Sequence, residues 1–202
     1  MQWQSEQFGA AHEGRAVAVL ADGSEPEPVY FDAGSGSTLC RTDEWWVYDG
    51  TLGAPLAGAV RAACSCGWRG ADSHPLDWDD VDPDAPHLYD TGGPRGDWAR
   101  HIADTDARSV PLPAGVTALL ERVREELGDL AADDPLAALK AVAVLERTTG
   151  EAARQAARTV EEDAEVEALS WPAVATALGL TEQDARARVD RYTLHPAGGR
   201  HL

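Results

Sequence analysis

The chain has 202 residues, of which 35 are acidic and 17 are Lys or Arg, and its formal net charge is -18. Such a charge repels polyphosphate at long range, which counts against a nucleic-acid-binding function. The sequence has no run of about 18 to 20 apolar residues and no basic start followed by an apolar stretch, so we expect neither a membrane span nor a secretory signal. Three cysteines cannot all pair with one another, which favours a reducing cytoplasm over a disulfide framework.

The first half of the chain has the composition of a β-rich module. Residues 1–109 hold all three cysteines, six of the seven tryptophans and most of the glycines and prolines. Short apolar, β-branched or aromatic runs bounded by Gly, Pro or Asp predict strands, and they occur at residues 16–20, 28–32 and 44–48.

The second half, residues 110–202, is predicted to be helical. From residue 112 onward apolar side chains recur at spacings of three and four, which predicts one apolar helix face. These residues are Val116, Leu119, Leu120, Val123, Leu127 and Leu130. Asp134 followed by Pro135 indicates the start of a second helix, which either continues through Gly150 or breaks there. Together the two halves predict an α+β protein with its domain boundary at 109/110.

Residues 170–192 carry the pattern of a helix-turn-helix. Ser170 can cap a first short helix, and Gly179 can take the positive φ of a tight turn. Thr181 and Asp184 form a T-x-x-D capping box that opens the second helix. The positions expected to face inward are small or apolar: Val174, Ala175, Leu178, Leu180, Ala185 and Val189.

Two segments resemble known actinobacterial sequences. The run from Leu169-Ser170-Trp171 through Gly179-Leu180-Thr181 to Ala187-Arg188 resembles the sigma-region-4-like helix-turn-helix ends of uncharacterised actinobacterial proteins. The Cys64-Ser-Cys-Gly-Trp-Arg-Gly segment, with Trp98-Ala-Arg-His101 after it, is similar to an element of hypothetical proteins from the same bacteria. The first resemblance implies that the second helix enters a DNA major groove. The residues expected to contact DNA are Thr181, Gln183, Arg186, Arg188 and Arg191.

The charge of this predicted reading helix is unusual for DNA binding. Its three arginines are matched by Glu182, Asp184 and Asp190, so the segment is locally neutral on an acidic protein. An alternative is therefore an acidic, non-enzymatic adaptor that binds a basic protein partner and uses the C-terminal helices for docking.

The cysteines suggest a metal site in the N-terminal module. Cys64 and Cys66 project to the same side of an extended segment, and Gly67 lets the chain turn behind them. A structural zinc ion takes four ligands, and Cys40 and His101 are the best candidates to complete a Cys3His set. His74 and His87 are held in reserve. The alternative is a pair of buried free thiols beside Trp68.

Enzymatic activity is not predicted. The sequence contains neither an H-E-x-x-H nor an H-x-E motif to accompany the cysteines, and it has no G-x-S-x-G nucleophile elbow. A metal-dependent enzyme is therefore only a third hypothesis. The leading prediction is a DNA-binding transcriptional regulator whose N-terminal module senses a ligand or a partner.

Overall fold

The chain folds into two compact units, residues 1–107 and 108–202. The structure, a computed structural model, describes the backbone of residues 2–32 and 39–194, and the side chains of these residues except 31, 32, 39 and 40. Strands lie in the first unit and most helices in the second, which confirms the predicted α+β class with an N-terminal β module. Within the described residues, every helix is too short or too polar to cross a bilayer.

The N-terminal unit is built on a four-stranded antiparallel sheet. The strands of the unit are β1 (Gln2–Ser5), β2 (Gly9–Val19), β3 (Val29–Asp32), β4 (Leu39–Thr42), β5 (Ala59–Cys64) and β6 (His74–Pro75). The sheet has the order β1-β2-β5-β6, while β3 and β4 form a separate hairpin. The long β2 strand is therefore central, and it pairs with β5 from Gly14 opposite Cys64 to Val19 opposite Ala59.

One helix, α1 (Gly92–Arg108), covers a face of this sheet. The even-numbered residues of β2 point to that face, where Gly14, Ala16 and Ala18 leave little side-chain volume. The indole of Trp98 fills the space above Gly14 so closely that a Cβ at residue 14 would lie 2.6 Å from it. Trp98 also packs against Trp3, with ring centroids 5.9 Å apart.

Two of the three predicted strands are confirmed and one is wrong. Residues 16–20 and 28–32 coincide with β2 and β3, although β2 starts earlier, at Gly9. Residues 44–48 instead contain a 3-10 turn, Trp45–Val47. The turn directs both Trp45 and Tyr48, which are 3% and 1% exposed, into the core. A strand would place residues three apart on opposite faces, so burial of both aromatic rings favours the turn.

Four helices form the C-terminal unit. They are α2 (Ala114–Asp133), α3 (Pro135–Glu165), α4 (Trp171–Leu178) and α5 (Glu182–Leu194). Asp134 caps α3 as expected, because its carboxylate accepts a hydrogen bond of 3.1 Å from the Ala137 amide. α3 continues through Gly150 without a break. Helices α2 and α3 form an antiparallel hairpin, and the C-terminal part of α3 packs against α5.

We predict that Gly14→Ala destabilises the N-terminal unit by about 1–3 kcal/mol, because the added methyl group would overlap the Trp98 indole. The matched control is Gly58→Ala, next to β5, where no atom of the described residues lies within 4 Å of an added Cβ. Denaturant unfolding followed by tryptophan fluorescence measures both. Equal stability of the two variants would contradict this packing.

Candidate metal centre and helix-turn-helix

The pairing of β2 and β5 brings three potential metal ligands to one end of the sheet. His12 lies on the same face of β2 as Gly14, and Gly14 is paired with Cys64. If the antiparallel register is continued for two residues, His12 falls opposite Cys66. All three side chains therefore belong to the face that α1 covers.

A tight turn fixes the two cysteines. Gly67, with φ of 93°, donates from its amide to the Cys64 carbonyl at 3.0 Å, and the Cys64 amide donates to the Trp68 carbonyl at 3.0 Å. Ser65, between the cysteines, points away from them, and its hydroxyl accepts from the Glu13 amide at 2.9 Å. The backbone of the turn is thus tied to β2, and both sulfur atoms stay on one side.

The fourth ligand comes from α1. Pro94, Trp98, His101 and Thr105 are buried, and they form one stripe of the helix at spacings of three and four. Because Trp98 packs against Gly14, His101, which follows one helical turn later, lies over the end of the sheet. Trp68 stacks on the His101 ring with centroids 4.4 Å apart and planes 7° apart, which fixes the orientation of the imidazole.

Three of the distances among the four ligand atoms match those of a tetrahedral zinc site. One atom each from His12, Cys64, Cys66 and His101 lies within 4.8 Å of the others. His12 Nδ1 is 3.3 Å from His101 Nε2, Cys64 Sγ is 3.5 Å from His12 Nδ1, and Cys66 Sγ is 3.4 Å from His101 Nε2. Zinc bonds of about 2.3 Å to sulfur and about 2.05 Å to nitrogen imply edges of about 3.3 Å between nitrogens and about 3.6 Å between sulfur and nitrogen. The residues could therefore hold one metal ion.

The cluster is largely closed to solvent, and its two thiols share a hydrogen bond. His12, Cys64 and His101 are 3%, 4% and 9% exposed. A hydrogen bond from the Cys66 thiol lowers the pKa of Cys64 to about 4. The pKa of Cys66 is raised because its proton is held by Cys64 and because burial disfavours its charged form. One thiolate is thus already favoured, and a metal ion would displace the proton of the second.

The structure brings together three of the predicted ligand residues and adds one that sequence reasoning missed. Cys64, Cys66 and His101 meet as expected, and the fourth described ligand is His12. Cys40 lies in β4, and its side chain is outside those that the structure describes. His74 Nε2 instead lies 2.8 Å from Asp97 Oδ2, and His87 is exposed in a 3-10 turn, so neither reserve ligand joins the cluster. His12 could have been found from its position two residues before Gly14, which places both side chains on the same face of β2. The strand predicted at residues 16–20 was too short to include it.

The two helices predicted at 170–192 are present as α4 and α5. Gly179, with φ of 62° and ψ of 39°, ends α4 in the left-handed conformation. Thr181 accepts a hydrogen bond of 3.1 Å from the Asp184 amide and donates one of 2.6 Å to its carboxylate. Ala175 and Ala185, 6% and 0% exposed, lie where the helices cross. Small residues at the crossing allow the two helices to approach closely.

The residues predicted to contact DNA have different environments on α5. Gln183 and Arg191 are exposed, Arg188 is half-buried, and the Thr181 hydroxyl is used in the helix cap. Arg186 is exposed, as expected, but it is not free of contacts: its guanidinium is 2.8 Å from Glu182 Oε1 and lies 4.4 Å from the centroid of the Trp171 ring. The i,i+4 spacing with Glu182 and the crossing of α4 explain this placement.

Comparisons of the chain with protein-family models, with curated proteins and with solved structures found no match.

We predict that His12→Ala lowers the metal content of the purified protein at least about tenfold, because three ligands hold a metal ion far less tightly than four. Elemental analysis measures the content per chain. Cys40→Ser is the matched control, since it removes a thiol outside the described cluster and should leave the content unchanged. The opposite result, metal lost with Cys40→Ser and kept with His12→Ala, would favour the Cys3His set over the one described.

Proposed function

We propose that this protein is a non-enzymatic DNA-binding protein that contacts DNA through α5. The observation that carries the proposal is the geometry of α4 and α5. Two capped helices join through a glycine in the left-handed conformation and cross at two small alanines. This is the arrangement in which a helix-turn-helix presents its second helix to a major groove.

The rest of the C-terminal unit supports α5 as a rigid element. Ala185 and Val189 bury one side of α5, and Thr193 donates a hydrogen bond of 3.0 Å to Glu161 on α3. Gln183 and Arg191 are left exposed on α5. A Gln side chain can make a bidentate contact to adenine, and an Arg to guanine, each worth about 1–3 kcal/mol of discrimination.

The electrostatics of α5 imply weak binding. The net charge of -18 opposes approach to DNA, and Glu182 neutralises Arg186. The Glu182 carboxylate also stands in the first turn of α5, where a DNA phosphate would be most favoured. Glu182 therefore limits affinity in two ways, and its removal gives a direct test.

We predict that Glu182→Gln raises DNA affinity about tenfold, because it removes a charge that repels phosphate and releases Arg186 from its ion pair. Arg186→Ala and Arg191→Ala should each weaken binding by about tenfold and reduce the salt slope by about 1. The ligand is a sequence selected from random DNA at low salt, and fluorescence anisotropy measures binding. Arg124→Ala, an exposed arginine on α2, is the control for loss of one positive charge.

A second candidate function is the acidic adaptor for a basic protein partner. It is favoured by the net charge and by the internal pairing of Arg186 with Glu182 and Trp171. The adaptor predicts no selected DNA sequence at low salt and no difference between Glu182→Gln and wild type. That outcome would remove the DNA-binding proposal.

For the N-terminal unit we propose that His12, Cys64, Cys66 and His101 hold a structural zinc ion. Two thiolates and two imidazoles are a ligand set typical of zinc, and the nitrogen and sulfur spacings match its bond lengths. Four protein ligands fill a tetrahedral ion and leave no position for substrate, whereas a catalytic zinc ion keeps one position open. The cluster therefore supports a role in stability and gives no support to an enzyme.

We predict that removal of the metal ion by a chelator unfolds the N-terminal unit while the helices α2 to α5 remain. The ligands come from β2, from β5 and its turn, and from α1, so the ion links all three. Six of the seven tryptophans lie in this unit, so their emission should shift to the red, while most helical circular dichroism is kept. One equivalent of zinc should reverse the shift. An unchanged emission spectrum in metal-free protein would contradict the structural role.

A further inference from the structure

The α2–α3 hairpin carries an apolar groove that its own unit leaves open. The groove has a volume of about 700 Å³ and runs between the two helices. Leu119 and Val123 line it from α2 and Val144 from α3, and they are 60%, 37% and 46% exposed. Exposed apolar side chains that line one groove form a candidate contact surface for another element.

The dimensions of the hairpin match those of a dimer interface. Helix α2 has 20 residues and therefore extends about 30 Å, and two adjacent helices are about 20 Å wide. The face of one hairpin thus offers about 600 Å², and two such faces bury about 1,200 Å² in total, which is at the lower end of stable protein interfaces. Two hairpins packed face to face would form a four-helix bundle, in which the open groove of each is filled by side chains of the other.

The charges around the groove also suit a second copy of the chain. Its rim carries Arg122, Lys140 and Glu126, so both signs are present on one face. A two-fold axis places the same patch on both partners, and each acidic group can then meet a basic group of the other copy. The rim has a net positive charge on a chain whose total is -18, and Lys140 is the only lysine. The rim therefore carries less of the acidic charge that repels two copies than the chain as a whole does.

We propose that the protein is a homodimer in which the α2–α3 hairpins of two copies pack through this groove into a four-helix bundle. This interface does not depend on the DNA-binding proposal, because it is formed by helices other than α4 and α5. A dimer would present two copies of α5, as two-fold DNA-binding proteins do. The oligomeric state is measured without DNA, so failure of one proposal is distinguishable from failure of the other.

Sedimentation velocity of the full chain in physiological salt tests the dimer directly. The wild type should sediment with about twice the 21.5 kDa mass of the chain. Leu119→Glu places a charge in the groove and should raise the dissociation constant at least about 100-fold. The matched control is Leu139→Glu on α3, because Leu139 is 67% exposed but does not line the groove, and this variant should remain dimeric.

A charge-reversal pair tests the interface without removing any apolar side chain. Lys140→Glu should weaken the proposed dimer about tenfold, because a two-fold arrangement would bring the groove-lining Glu126 of the other copy into the same interface, and adding Glu126→Lys should restore it. Circular dichroism verifies that each variant keeps its helices. A wild-type chain that is monomeric at about 100 µM would overturn the proposal and assign the groove to a different occupant. Equal dissociation of Leu119→Glu and Leu139→Glu, or no rescue by the second charge reversal, would also overturn it.

Discussion

Close contact between Trp98 and Gly14 is the interaction on which the N-terminal unit depends. The face of β2 that α1 covers carries Gly14, Ala16 and Ala18, and only a face with such small side chains can accept a whole indole. Once Trp98 is seated, the position of every other residue along the stripe of α1 is fixed. His101 then lies over the end of the sheet, and Asp97, one turn before His101, meets His74 on β6.

The metal cluster follows from that packing and from the register of two strands. Gly14 opposite Cys64 determines which face the cysteines share, and the turn at Gly67 holds them there. Strand register, the turn and helix packing bring the four ligands together in the folded unit. A bound ion would in turn tie β2, β5 and α1 to one another, so that its binding energy would contribute to the folding of a loop-rich unit.

Local sequence patterns predicted the helices of the C-terminal unit, but they did not predict the full set of candidate metal ligands. Helix caps such as Ser170, Asp134 and the Thr181–Asp184 pair are determined by neighbouring residues, so their sequence patterns predict them directly. His12 joins the candidate ligands only through the pairing of β2 with β5, more than fifty residues away, and through the docking of α1. No short pattern encodes those contacts. The α1 helix itself was missed because its first turn holds two glycines and a proline.

Charge separates the two roles that we propose for the chain. Folding of the C-terminal helices requires only small and apolar residues at their crossings, whereas contact with DNA also requires free positive charge. Glu182 interacts favourably with the positive end of the α5 helix dipole and with the Arg186 guanidinium. Both interactions stabilise α5, and both would lower the affinity of α5 for a DNA phosphate. The metal site proposed for the N-terminal unit has no such conflict, because its ligands would serve the stability of that unit.

X-ray absorption at the zinc edge of the full-length protein is the most direct measurement of the ligand set. Two sulfur ligands at about 2.3 Å and two nitrogen ligands at about 2.0–2.1 Å, with the outer-shell signature of two imidazoles, are expected for His12, Cys64, Cys66 and His101. Three sulfur ligands, or an oxygen ligand in place of one imidazole, would contradict this centre and the closed, structural role derived from it.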